Sequence, residues 1–97
     1  MLPNIEIKVN TATKIDVPNT GILVLAANTR RFFALIQNNS NTDIWIMFGS
    51  QGAVDQGILV PKNGFSYEID RLNLWQGAVY AIHGGSGTKQ VNVLDCQ

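Results

Sequence analysis

The stretch Asp43-Ile44-Trp45-Ile46-Met47-Phe48 decides how this chain is read. Alternation of apolar and polar residues over about four to eight positions marks a strand with one buried and one wet face. Here Ile44, Ile46 and Phe48 share one face and Trp45 and Met47 share the other, so both faces are apolar. A strand in a sandwich ordinarily keeps one face in water. The second face therefore needs a cover, either from the chain's own loop or N-terminal segment or from a neighbouring subunit. The runs 22–25 and 32–36 are apolar throughout in the same way.

Outward from this stretch, strand-length segments are separated by turn residues. Ile5, Ile7 and Val9 alternate with Glu6, Lys8 and Asn10, and Ile15 and Val17 alternate with Lys14 and Asp16. Phe65, Tyr67 and Ile69 alternate with Ser66, Glu68 and Asp70, and Val91 and Val93 with Gln90 and Asn92. Gly- and Asn-rich punctuation falls at 19–21, 38–42, 49–52, 63–64 and 84–87. The segment 22–36 is β-branched or aromatic at its ends and apolar all round, which reads as two strands joined at Asn28-Thr29. The stretch 70–76 accommodates one helical turn. Two hairpins are predicted, one pairing 31–37 with 43–48 across the Asn-rich loop and one at Asn63-Gly64, where a type I′ turn needs positive φ twice. Pro61 places its strand at an edge. The run Gly84-Gly85-Ser86-Gly87 reads as a third hairpin turn, beside His83. The fold class is all-β: a single antiparallel β-sandwich, jelly-roll-like, of about seven or eight short strands over residues 1–97, with residues 1–10 an N-terminal arm or exchanged strand.

Composition limits function. The chain has 97 residues and 10.6 kDa, is 45% hydrophobic and 14% charged, and balances seven basic against seven acidic residues. That allows one domain. Zero net charge removes the field a phosphate-tracking protein needs, so nucleic acid is not an expected partner. Cys96 is the single cysteine, which excludes an intrachain disulfide and a CxxC metal motif. The N-terminus lacks a signal-peptide pattern and no run reaches the ~18 apolar residues of a membrane span. The reading is of a soluble, unexported chain that needs no membrane. Ten Asn and six Gln outnumber the fourteen charged residues, and a neutral hydrogen-bonding surface of this kind favours association.

Catalytic patterns were weighed against plainer readings. His83, the only histidine, has no legible nucleophile or orienting partner and reads as a strand-end residue beside a glycine turn. The run 84–89 lacks the GxxxxGK[ST] spacing of a phosphate loop. Asp43, Asp55, Glu68 and Asp70 would need a fixed separation for acid–base chemistry, and no DxDxDG spacing supports calcium. Asn38-Asn39-Ser40 matches a glycosylation sequon but reads as a turn. Arg30-Arg31 is too short for a nucleic-acid patch and pairs instead with carboxylates of the sheet or of a neighbour. No enzyme, cofactor or metal is expected.

The segments 30–40, 43–49, Ala78-Val79-Tyr80-Ala81-Ile82 and 87–93 together resemble small virion proteins of tailed bacteriophages: an arginine strand, an Asn-rich turn, a strand ending in Phe48-Gly49 and a final Tyr-Ala-Ile hairpin. The resemblance covers about two thirds of the chain, from Arg30 onward, and carries no catalytic motif. It implies a non-enzymatic structural protein on the capsid surface of the virion, made in the host cytoplasm. Its role would be that of a capsid decoration or cement protein, binding the major capsid protein and copies of itself as a homo-oligomer such as a trimer. The interface candidates are Trp45 and Met47 on the second apolar face, Trp75 in its loop, and Leu2 and Ile5 in the arm. The alternative is a carbohydrate- or receptor-binding module of a phage tail or fibre, built on Trp75, Tyr80 and the amide-rich loops.

Overall fold

In the computed structural model, which describes residues 8–97, the described residues form eight strands. They are β1 (Val9–Val17), β2 (Ile22–Leu25), β3 (Phe33–Asn38), β4 (Ile44–Phe48), β5 (Ile58–Val60), β6 (Ser66–Ile69), β7 (Val79–His83) and β8 (Lys89–Cys96). Two four-stranded antiparallel sheets, in the orders β1-β8-β3-β6 and β2-β7-β4-β5, pack as a sandwich. The pairings are nested about the β4–β5 hairpin: β3 with β6, β2 with β7 and β1 with β8. Every other connection crosses from one sheet to the other, which is jelly-roll topology.

The two-residue period selects Val17, Ile69, Val91 and Val93 correctly, but Val9, expected on a buried face, is 57% exposed. Ala34, Ile36, Val91, Val93, Val17 and Ile69 from one sheet meet Ile44, Ile46, Val79, Ala81, Val24 and Val60 from the other, all buried. Phe65 departs from its predicted face: it precedes β6 and is exposed, while Ile69 is buried.

Three hairpin expectations need correction. The 31–37 and 43–48 runs do not pair, because β3 and β4 lie in opposite sheets. The Asn-rich segment is instead an arch, held by the buried Asn38 side chain. Its Nδ2 donates to the carbonyls of Thr42 and Val60 at 2.8 and 2.9 Å, and its Oδ1 accepts from the Ser40 amide at 3.1 Å. Asn63 and Gly64 do adopt positive φ, 68° and 96°. Their turn nevertheless joins β5 to β6 across the sandwich, and its amides donate to the Ser40 and Asn38 carbonyls at 2.8 Å. The glycine turn after His83 likewise crosses between sheets. Pro61 follows β5, an edge strand, as read. No helical turn forms at 70–76; the Leu72 amide donates to Asp70 Oδ1 at 2.8 Å in an Asx turn.

Of the expected arm, Val9 and Asn10 belong to β1, and Lys8 exchanges two 2.8 Å backbone bonds with Gln97. Leu2, Ile5 and Ile7 lie outside the described residues.

One charged group is embedded in this core. Arg31 ends the β2–β3 connection, and its guanidinium uses all five donors. Nε and Nη2 bond the two oxygens of Asp95 at 2.8 and 3.2 Å. Nη1 donates to the carbonyls of Trp75 and Gly77 at 3.0 and 2.9 Å, and Nη2 to that of Ala26 at 2.7 Å. The two side chains are 0% and 3% exposed. Asp95 faces inward on β8 because it keeps the phase of Val91 and Val93. Removing one partner of such a pair strands a buried charge, so Asp95→Ala and Arg31→Met should each cost about 3–5 kcal/mol in urea unfolding. Arg31→Lys should fail to restore stability, because an ammonium cannot reproduce the planar fork.

Candidate functional site

The outer face of the β2-β7-β4-β5 sheet carries the second apolar face of β4. Strand register sets Leu23, Tyr80 and Met47 in one cross-strand row and Ile82, Trp45 and Leu59 in the next. Cross-strand neighbours on one face touch, so the rows form one apolar surface spanning four strands. Leu23 and Leu59 are each 41% exposed, and Trp45, Met47, Tyr80 and Ile82 are half-buried.

Part of the cover comes from the chain itself. The 49–57 loop leaves β4 and turns back over its outer face: a Cβ on Gly52 would sit 3.1 Å from that of Met47, and one on Gly57 would strike the Ile46 carbonyl. Gly57 also has φ +86°, so both space and backbone demand glycine there. Gln51 Nε2 donates to the Thr20 carbonyl, tying the loop to the β1–β2 turn. Val54 rests on Gly84. Met47 is thus roofed by its own chain, while Trp45 keeps an open side.

Trp75 lies in a loop, as read, and plays a packing role. Its ring stacks on Phe48 at 5.4 Å and 7°, its Nε1 donates to the Ala78 carbonyl at 3.0 Å, and Gly77 lies against the indole. The same loop presents Leu72, 97% exposed, which alternation alone does not single out.

His83 faces the core. Its Nδ1 accepts from the Gly85 amide at 3.1 Å, which leaves the proton on Nε2, and Nε2 has no partner among the described residues. The four carboxylates divide. Asp43 and Asp55 meet at one open pocket, whereas Glu68 and Asp70 belong to the other sheet's edge. Among the described residues no group of three or more His, Cys, Asp or Glu is placed to hold a metal, and no helix is long and apolar enough to cross a membrane. The Asn38 amide is buried and fully engaged in the arch. On the opposite sheet Val9, Phe32, Phe33, Leu94 and Cys96 line an apolar groove of about 540 Å³, with Asp70 and Arg71 at its rim. Arg71 sits 5.9 Å over the Phe32 ring. Burial pushes the Cys96 thiol up from its ordinary pKa, and the Asp95 charge adds to the shift.

No protein-family model matches the chain, and no curated protein or solved structure is significantly similar to it. Function therefore rests on the residues and their arrangement.

Three outcomes follow from these contacts. Trp75→Ala opens a hole under Phe48 and should cost about 3 kcal/mol in urea unfolding, whereas Trp45→Thr, at an open position that keeps β propensity, should cost less than half as much. Cys96 should react with an aromatic disulfide reagent only after denaturation. Because the folded thiol holds its proton more tightly than the unfolded one, its contribution to stability is complete below the unfolded pKa and lost as pH rises through the folded one. Cys96→Ala should flatten the alkaline limb of the stability profile.

Proposed function

We propose that this chain is a structural protein of a tailed-phage virion, most specifically a capsid decoration or cement protein that binds the major capsid protein as a small homo-oligomer. The observation that carries the reading is the apolar outer face of the β2-β7-β4-β5 sheet, where Leu23 and Leu59 are exposed and Trp45, Tyr80 and Ile82 are half-buried beside the 49–57 loop. Contiguous apolar area beyond that of a monomer's ordinary surface is where another polypeptide docks. The sequence resemblance from Arg30 onward supplies the partner class.

The mechanism is mechanical. A standard contact buries on the order of 800 Å² per partner, and repetition over a symmetric shell turns modest single-site affinity into strong collective reinforcement. Aromatic anchors such as Trp45 and Tyr80 are the residue types that dominate such contacts. The alternative that used Trp75 as a sugar platform is disfavoured by the stacking of that ring on Phe48.

Position in the particle tests the proposal. A labelled antibody against the chain should decorate the head surface of intact virions, and Leu23→Asp with Ile82→Asp should reduce copies per head at least tenfold. Label confined to tails, or absence from particles, overturns it.

A further inference from the structure

The pocket that joins Asp43 to Asp55 shares Trp45 with the proposed shell contact, but its polar groups have no part in that contact. It occupies about 390 Å³ at the open side of Trp45. Four separate connections build it: Asn41 and Asp43 come from the β3–β4 arch, Asp55 from the 49–57 loop, Lys62 from the β5–β6 turn and Gly84 and Gly85 from the β7–β8 turn. The arch and the turn are fastened together, since the Lys62 amide donates to Asp43 Oδ1 at 3.0 Å. Asn41 Oδ1 accepts from Lys89 Nζ at 3.2 Å, which leaves its amide protons available as donors. Among the described residues the Asp55 carboxylate, the Lys62 ammonium and the Trp45 indole N–H make no hydrogen bond within the chain, although Trp75's indole N–H does.

Asp55 is also held in an unusual backbone state. The Gln56 amide donates to the Ala53 carbonyl at 3.1 Å, closing a turn in which Asp55 takes φ +66°. Glycine is the residue such a position favours. Asp, like Asn, tolerates that conformation, and here it sets the carboxylate at the lip of the pocket.

The chemistry narrows the ligand. Two carboxylates repel an anion such as a phosphate, and the Lys62 ammonium opposes a metal ion. The polar rim is wrong for a hydrocarbon. What fits is a neutral molecule with an apolar flat side for the indole and many hydroxyls, each able to donate to a carboxylate and accept from an amide or ammonium. We propose that this pocket binds a neutral saccharide, its C–H face against Trp45 and its hydroxyls on Asp43, Asp55, Asn41 and Lys62.

The test is an array of immobilised galactose-, glucose- and mannose-terminated oligosaccharides, with sialylated and sulfated ones alongside, followed by calorimetry on the hits. Saturable binding to a neutral oligosaccharide is expected. Asp55→Gly, which suits the positive φ while removing the carboxylate, and Lys62→Met should each weaken it about tenfold, with thermal unfolding unchanged. Leu23→Asp, on the opposite edge strand of the same sheet, should leave it intact. An empty array, binding to acidic glycans alone, or neutral-glycan binding that ignores both pocket substitutions overturns the proposal.

Discussion

The buried pair of Arg31 and Asp95 is the constraint around which the molecule is arranged. Jelly-roll connections run over the ends of a sandwich, where ladder hydrogen bonds stop and backbone carbonyls must find donors elsewhere. One guanidinium meets that need for three segments at once: the chain leaving β2 through Ala26, the loop at Trp75 and Gly77, and strand β8 through Asp95. Gln76 and Asn28 complete the knot by bonding the Arg31 carbonyl and Asp95 Oδ2 at 3.0 and 3.3 Å. A charge buried this deeply is tolerated only when fully paired. The stacking of Trp75 on Phe48 is seated on the same anchor.

The opposite end of the sandwich uses a neutral version of the same device. Asn38 holds the arch between β3 and β4, and the Asn63-Gly64 turn hangs from that arch through its amides. These end connections, with the Ile44–Val60 end of the β4–β5 pairing, bring Asn41, Asp43 and Lys62 together. The 49–57 loop then covers Met47 and sets Asp55 opposite them. The architecture thus separates two surfaces on one sheet: a flat apolar field on β2 and β7, suited to another polypeptide, and a polar pocket at the arch end. A jelly roll hosts both capsid and lectin roles, so the fold itself does not choose between them.

Much of the fold was legible because burial has a period. Val91 and Val93 alternate with Gln90 and Asn92, Val17 with Asp16 and Ile69 with Glu68 and Asp70, and Val91, Val93, Val17 and Ile69 are buried as alternation requires. Strand pairing was not legible. The 31–37 and 43–48 runs look like a hairpin because loop length suits one, but a pleat's phase says which side chains face inward and nothing about which sheet the strand joins. Asn63-Gly64 shows the same limit, since its dihedrals follow from local chemistry while its partners lie near Asn38.

By itself the sequence determined the fold class, a count of seven or eight short strands, the positive-φ turn at Asn63-Gly64 and the two-faced character of β4, all of which depend on residue type and local spacing. Tertiary structure decided the rest. Arg31 and Asp95 are 64 positions apart, and nothing local distinguishes Asp95 from a carboxylate on a wet strand face. The roof over Met47 and the meeting of Asp43 with Asp55 likewise depend on loops that travel through space, where contact is set by the packing of two sheets and not by distance along the chain.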